Sequence, residues 1–219
     1  MVGLGLDIIW IMSTIRITST STPFDTPDLA RQAAGVISKA DAMGLIPDLE
    51  IQRLDLSSFR AVVGKIAEAG IGTEIQAALA APASSIGPPQ MSRLLDRLET
   101  AIDESPSPEH EWRSLEAIFG TDRLAGLLGT SPPSVRRYQS GARETPDSLA
   151  ARLHFLATLV GDLAGAYNEI GLRRWFDRPR SLLDGRTPAD ILQGDWHPEA
   201  HDSQRLRELA RSLAASPAT

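Results

Sequence analysis

The sequence predicts a mainly all-α protein. A helix-turn-helix is followed by a long helix and a compact helical C-terminal region, and a mostly helical N-terminal extension precedes them. Three observations carry that expectation. Apolar residues recur at spacings of three and four along most segments. Several of these segments open on Ser or Thr with Pro and close on Gly. The 219 residues, 42% of them hydrophobic, supply one generous core or two small ones, an ordinary globular composition.

Composition also narrows the chemistry. The chain has no Cys, which removes disulfides, thiolate metal sites and a Cys nucleophile, and a cytoplasmic protein fits best. All basic residues except Lys39 and Lys65 are Arg, a bias expected of a GC-rich genome. The net charge of -6 is unevenly spread: residues 1–108 hold 8 basic and 13 acidic groups, residues 109–219 hold 14 and 15. The second half is therefore free to present local basic surfaces. The apolar opening MVGLGLDIIWIM falls short of the ~20 residues of a membrane span and lacks the positive leader of a signal peptide. The stretch MSTIRITST reads as a natural beginning, which makes Met12 an alternative to Met1 as the expected start.

In chain order, the first half (1–108) reads as an irregular start with a strand within Ile8 to Ile17, then three helices. The first, capped by Thr26 or Asp28, has Leu29, Ala33, Val36 and Ile37 at helical spacing. The second carries Phe59, Val62, Val63 and Ile66 on one face and stops at Gly70; the third is MSRLLDRLETAID. APASSIGPP (81–89) and SPSP (105–108) are exposed connections.

The segment 109–145 is read as a helix-turn-helix and 146–219 as a long helix plus a C-terminal domain. FGTDRLAGLLG has Thr121 as its cap, Leu124, Leu127 and Leu128 on one face, and Gly129 as its stop. TSPPSVRRYQSG follows, capped by Ser131, with Pro132 first in the helix and Gly141 closing it. The next helix is expected to start at Thr145-Pro146 and run to Gly171, with a stripe of Leu149, Leu153, Leu156, Val160 and Leu163. Two short helices around a Gly turn, then a long helix, is the layout of a DNA reader. With Val135 and Tyr138 facing the core, Ser134, Arg136 and Arg137 project outward, where Arg grips guanine through two parallel hydrogen bonds. Arg143 and Arg123 are placed to touch phosphates. Acidic and basic groups nearly cancel over this segment, so affinity is expected from a homodimer spanning two half-sites.

The last third contains WFDRPRSLLDGRTPADIL (175–192), dense in rigid anchors. Trp175 and Phe176 form one apolar plug, Leu182 and Leu183 a second. Pro179 blocks a helix, Gly185 permits a left-handed turn, and Thr187-Pro188 with Asp190 starts a new helix. The string LAGLLGTSPPSVRRYQSG resembles the helix-turn-helix of Xre-type regulators. The order Trp175-Phe176, Pro179, Leu183, Gly185, Thr187-Pro188, Asp190, Leu192 resembles the toxin-binding domain of the Xre/MbcA/ParS antitoxin family. The resemblance covers about residues 112 to 212.

That resemblance implies an antitoxin of a type II toxin-antitoxin system. Such a protein neutralises a RES-domain toxin that consumes NAD and represses its own operon. The toxin face would comprise Trp175, Phe176, Pro179, Leu183, Gly185, Pro188 and Leu192, with Trp196 as an anchor and Arg205 and Arg207 meeting toxin carboxylates. Residues 1–108 have no counterpart in the family, and the turn GDWHPEAH is an addition to it. The alternatives are a helix-turn-helix regulator without a toxin partner and a pure interaction module with a vestigial reader.

No enzyme, cofactor or metal is expected. Dinucleotide, P-loop and nucleophile-elbow motifs are missing, and no carboxylate pair stands out. His197 and His201, four apart beside Asp195, Glu199 and Asp202, have the spacing of a helical zinc pair but read as a solvated helix start at Pro198. His110 and His154 are isolated in sequence and read as packed or surface residues.

Overall fold

A computed structural model describes residues 8–9, 15–82 and 85–215. The choice between Met1 and Met12 as the start, and most of the apolar opening, lies outside the described residues. The fold is mainly α: eleven α-helices and four two-residue strands occur among the described residues. None of these helices is by itself long and apolar enough to cross a membrane. The chain forms two compact units, Met1–Asp41 with Leu45–Ser105, and Ala42–Gly44 with Pro106–Thr219.

In the first unit β1 (Ile8–Ile9) pairs antiparallel with β2 (Arg16–Ile17), and β3 (Ser19–Thr20) pairs parallel with β4 (Arg53–Leu54). The unit has four helices, three of them expected, α1 (Pro27–Ala42), α2 (Leu56–Glu68) and α4 (Pro88–Asp103), and one more, α3 (Thr73–Leu79). Phe59, Val62, Val63 and Ile66 of α2 are buried, and Phe24 meets Phe59 edge-on at 5.2 Å. Asp55 and Ser58 close a capping box at the start of α2. Lys39 of α1 is 1% exposed, and its ammonium is held by Glu99 (2.6 Å) and Asp103 (3.2 Å) of α4. A buried lysine persists because two carboxylates replace the water it gave up.

The helix α3 is absent from the sequence reading for a physical reason. It has seven residues, and Gly72 at its start offers no side-chain cap. Its C-terminal end is held from a distance, by Arg60 donating to the carbonyls of Leu79 (2.7 Å) and Ala81 (2.6 Å).

The second unit contains α5 (Pro108–Phe119), α6 (Thr121–Leu128), α7 (Pro132–Gln139), α8 (Asp147–Ala164), α9 (Glu169–Asp177), a 3-10 turn (Ser181–Leu183), α10 (Pro188–Ile191) and α11 (His201–Ala215). The helix α8 packs against α5, α6, α9 and α11. Every residue from Arg152 to Leu163 is consequently buried, where the spacing predicted one apolar stripe. Several expected boundaries are corrected. Gly120 (φ 73°, ψ 159°), not Thr121, precedes α6. The helix α8 begins at Asp147 behind Pro146 and ends at Ala164, while Gly171 lies in the first turn of α9, its N–H donating to Asn168 Oδ1 (2.7 Å). Thr145 instead accepts from the Trp112 indole N–H (2.9 Å). A bend of 119° separates α8 from α9. The helix α11 begins at His201, not Pro198, so His197 and His201 do not share a helix.

Candidate functional site

The reader is built from α6, a turn at Gly129 and α7. Leu124, Leu127 and Leu128 face inward from α6, and Gly129 ends it in the left-handed conformation (φ 66°). Ser131 then caps α7, its Oγ accepting from the Ser134 N–H at 3.4 Å, with Pro132 and Pro133 in the first turn. Val135 and Tyr138 are buried, and this burial orients the rest of α7. Arg136 and Arg137 emerge on the exposed face; Arg137 also donates to its own helix at Pro133 O (3.3 Å). Ser134 is half-buried and receives a hydrogen bond from Ser131 Oγ (2.9 Å).

The other end of α7 is fixed by α5. Trp112 stacks on Tyr138 with centroids 5.6 Å apart, and the exposed Arg143 guanidinium lies over the same tyrosine ring at 5.3 Å. Glu116 accepts from Thr121 at the start of α6 and from Gln139 at the end of α7. No local sequence signal marks Glu116 for this role, because its partners lie five and twenty-three residues away. Arg123, expected at a phosphate, is corrected. Its guanidinium donates to both carboxylate oxygens of Asp177 (2.7 and 3.1 Å) and to Arg173 O (3.1 Å). It ties α6 to α9 and is no free cation.

Behind the reader lies a buried polar pair. Glu111 of α5 and His154 Nδ1 of α8 are 2.7 Å apart inside the unit. Burial pushes the Glu111 carboxyl above its ordinary range, with the hydrogen bond to His154 opposing the shift.

The C-terminal corner has the opposite character. Trp175, Phe176, Leu183 and Leu192 are each at most 1% exposed, and Pro188 and Trp196 are buried. Phe176 packs edge-on to Phe119 (5.1 Å), Arg180 lies over Trp175 (5.2 Å), and Trp196 meets Phe155 (5.3 Å). These anchors are corrected from a toxin face to a core: filled contacts on their own unit leave them no surface to offer. Pro179 and Gly185 remain exposed, and Gly185 (φ 78°) makes the left-handed turn expected of it. Thr187 and Asp190 form the expected capping box. Leu182, expected to plug the corner with Leu183, is 65% exposed.

Arg205 donates to Asp184 Oδ2 (2.7 Å) and Leu182 O (2.6 Å), and Arg186 donates to Asp202 Oδ2 (2.8 Å). These bonds hold the Asp184 and Asp202 carboxyls below the usual aspartate range and pin α11 to the corner. Arg207 is half-buried on α11. Among the residues the corner shows to solvent are two large apolar ones, Ile170 (61% exposed) and Leu182, and the exposed arginines Arg174 and Arg178. No family model matches the chain, and neither a curated protein nor a solved structure is significantly similar to it.

Proposed function

We propose that the chain is a DNA-binding antitoxin that neutralises a RES-type toxin and represses its own operon as a homodimer. The observation that carries the DNA half is the reader: Val135 and Tyr138 anchor α7 inward, so Arg136 and Arg137 stand side by side on its exposed face, with Arg143 beyond them. Two adjacent arginines on an exposed helix suit guanine edges in the major groove, and a third near the helix end suits a phosphate. The toxin half rests on the resemblance of residues 175–192. With the signature anchors buried, contact with a toxin falls to the outside of the corner, at Ile170, Arg174, Arg178 and Leu182.

The sealed corner favours a second reading, a helix-turn-helix regulator without a toxin partner. Co-expression with the product of the neighbouring gene, followed by co-purification and a growth-rescue assay, separates the two. The antitoxin reading expects a stable complex and restored growth; a chain purifying alone beside unrelieved toxicity overturns it. Salt-dependent protection of the DNA upstream of the gene tests the reading shared by both.

A further inference from the structure

The carboxyl end of α6 leaves carbonyls without helical partners, as every helix does. Thr130 N–H satisfies one of them, Ala125 O, at 2.9 Å. Gly129 N–H meets Gly126 O at 3.2 Å, and the last two carbonyls, of Leu127 and Leu128, are met by side chains from far along the chain. The Trp196 indole N–H donates to Leu127 O at 2.8 Å, and Arg152 Nη1 donates to Leu128 O at 3.3 Å. The same guanidinium donates to Gly194 O (3.3 Å), pairs with Asp195 and lies over the Trp196 ring at 5.7 Å. Contact is close enough that a Cβ on Gly129 would lie 2.2 Å from Gly194 O. Residues 194–196, from the turn GDWHPEAH that is an addition to the family pattern, are thus seated against the turn of the helix-turn-helix.

The two ends of α7 are held differently. Its C-terminal end is tied to α5 through Tyr138 on Trp112 and Gln139 on Glu116. Its N-terminal end continues directly from the turn through Ser131, Pro132 and Pro133, whose rings fix φ and transmit any shift of the turn into the helix. The position of residues 128–130 therefore sets the tilt of the helix that carries Arg136 and Arg137.

We propose that residues 194–196 and Arg152 form a strut that sets the helix-turn-helix turn, making Trp196 and Arg152 positioning residues for DNA recognition. The proposal rests on the DNA-reading function above. The test uses the full chain and the duplex upstream of its own gene, with affinity read by fluorescence anisotropy well below the melting temperature. Trp196→Phe keeps an aromatic ring, smaller than the indole, and removes the donor; Gly129→Ala wedges the turn away from Gly194. Ala210→Gly, a buried α11 position away from the turn, is the control for general destabilisation.

The expected result is a loss of about three- to tenfold in affinity for Trp196→Phe, on the scale of one hydrogen bond. A larger loss is expected for Gly129→Ala and none for Ala210→Gly. Should Gly129→Ala fail to fold, Trp196→Phe alone decides. Wild-type affinity in Trp196→Phe, or an equal loss in Ala210→Gly, overturns the strut while leaving the DNA reader intact. A wild-type chain that does not distinguish this duplex from an unrelated one overturns the reader and the strut together.

Discussion

The reader helix and the C-terminal corner differ in where their distinctive residues point. In α7 the residues marked for function, Arg136 and Arg137, are exposed, while the packing residues Val135 and Tyr138 are hidden. In the corner the marked aromatic and aliphatic anchors and Pro188 are hidden, namely Trp175, Phe176, Leu183, Pro188, Leu192 and Trp196, while Pro179 and Gly185 stay exposed. A motif of aromatics, Leu, Gly and Pro records how a piece of chain folds on itself. The side chains that meet a partner have to be sought among those it leaves outside.

The largest effect expected from this contrast is on stability. Trp175→Ala should cost about 3 to 5 kcal/mol in urea unfolding, a large fraction of the stability of an ordinary domain, through a large cavity against Phe176. A loss under about 1 kcal/mol would place the tryptophan outside the core and break the contrast. Next comes Arg137→Ala, expected to weaken binding to the upstream duplex by about 1 to 3 kcal/mol with an unchanged melting temperature. Unaltered retardation of that duplex would reject Arg137 as a base contact.

Smaller effects sharpen the picture at the rim. The carboxyls of Asp184 and Asp202 are depressed in the folded chain by Arg205 and Arg186. Their contribution is therefore present above the ordinary aspartate pKa and is lost as pH falls through the lower folded values, below about pH 4. Hydrogen exchange in α11 should stay flat from neutral pH down to about pH 5, after correction for intrinsic rates, and rise below about pH 4. Asp184→Asn, which tolerates the left-handed backbone at this position (φ 57°), should remove part of that rise. Smallest of all, Ile170→Ser with Leu182→Ser should leave stability within about 0.5 kcal/mol. The same pair should reduce co-purification with a toxin if the outside of the corner is the contact face; full retention would move that face elsewhere.

What could be read from the chain alone was whatever short-range chemistry decides. The periodicity of Phe59, Val62, Val63 and Ile66, the Ser131 cap, the stops at Gly129 and Gly141, and the Thr187–Asp190 capping box are each complete within a few residues. The inward turn of Val135 and Tyr138 also follows from a spacing of three on a short helix. Two start errors arose where a side chain on another helix took the expected cap. Thr121 turns back to Glu116, and Thr145 is taken by Trp112, so neither caps the helix beside it.

Only the tertiary structure could decide which faces are covered and which charges are already paired. A stripe on α8 became burial on every side because α5, α6, α9 and α11 surround it. Arg123 lost its freedom to Asp177, fifty-four residues away, and Trp196 turned inward to a carbonyl sixty-nine residues away. Periodicity reports that a side chain is apolar and where it lies on its own helix. Whether another element covers it depends on packing between segments distant in sequence, and one local stretch carries no record of that.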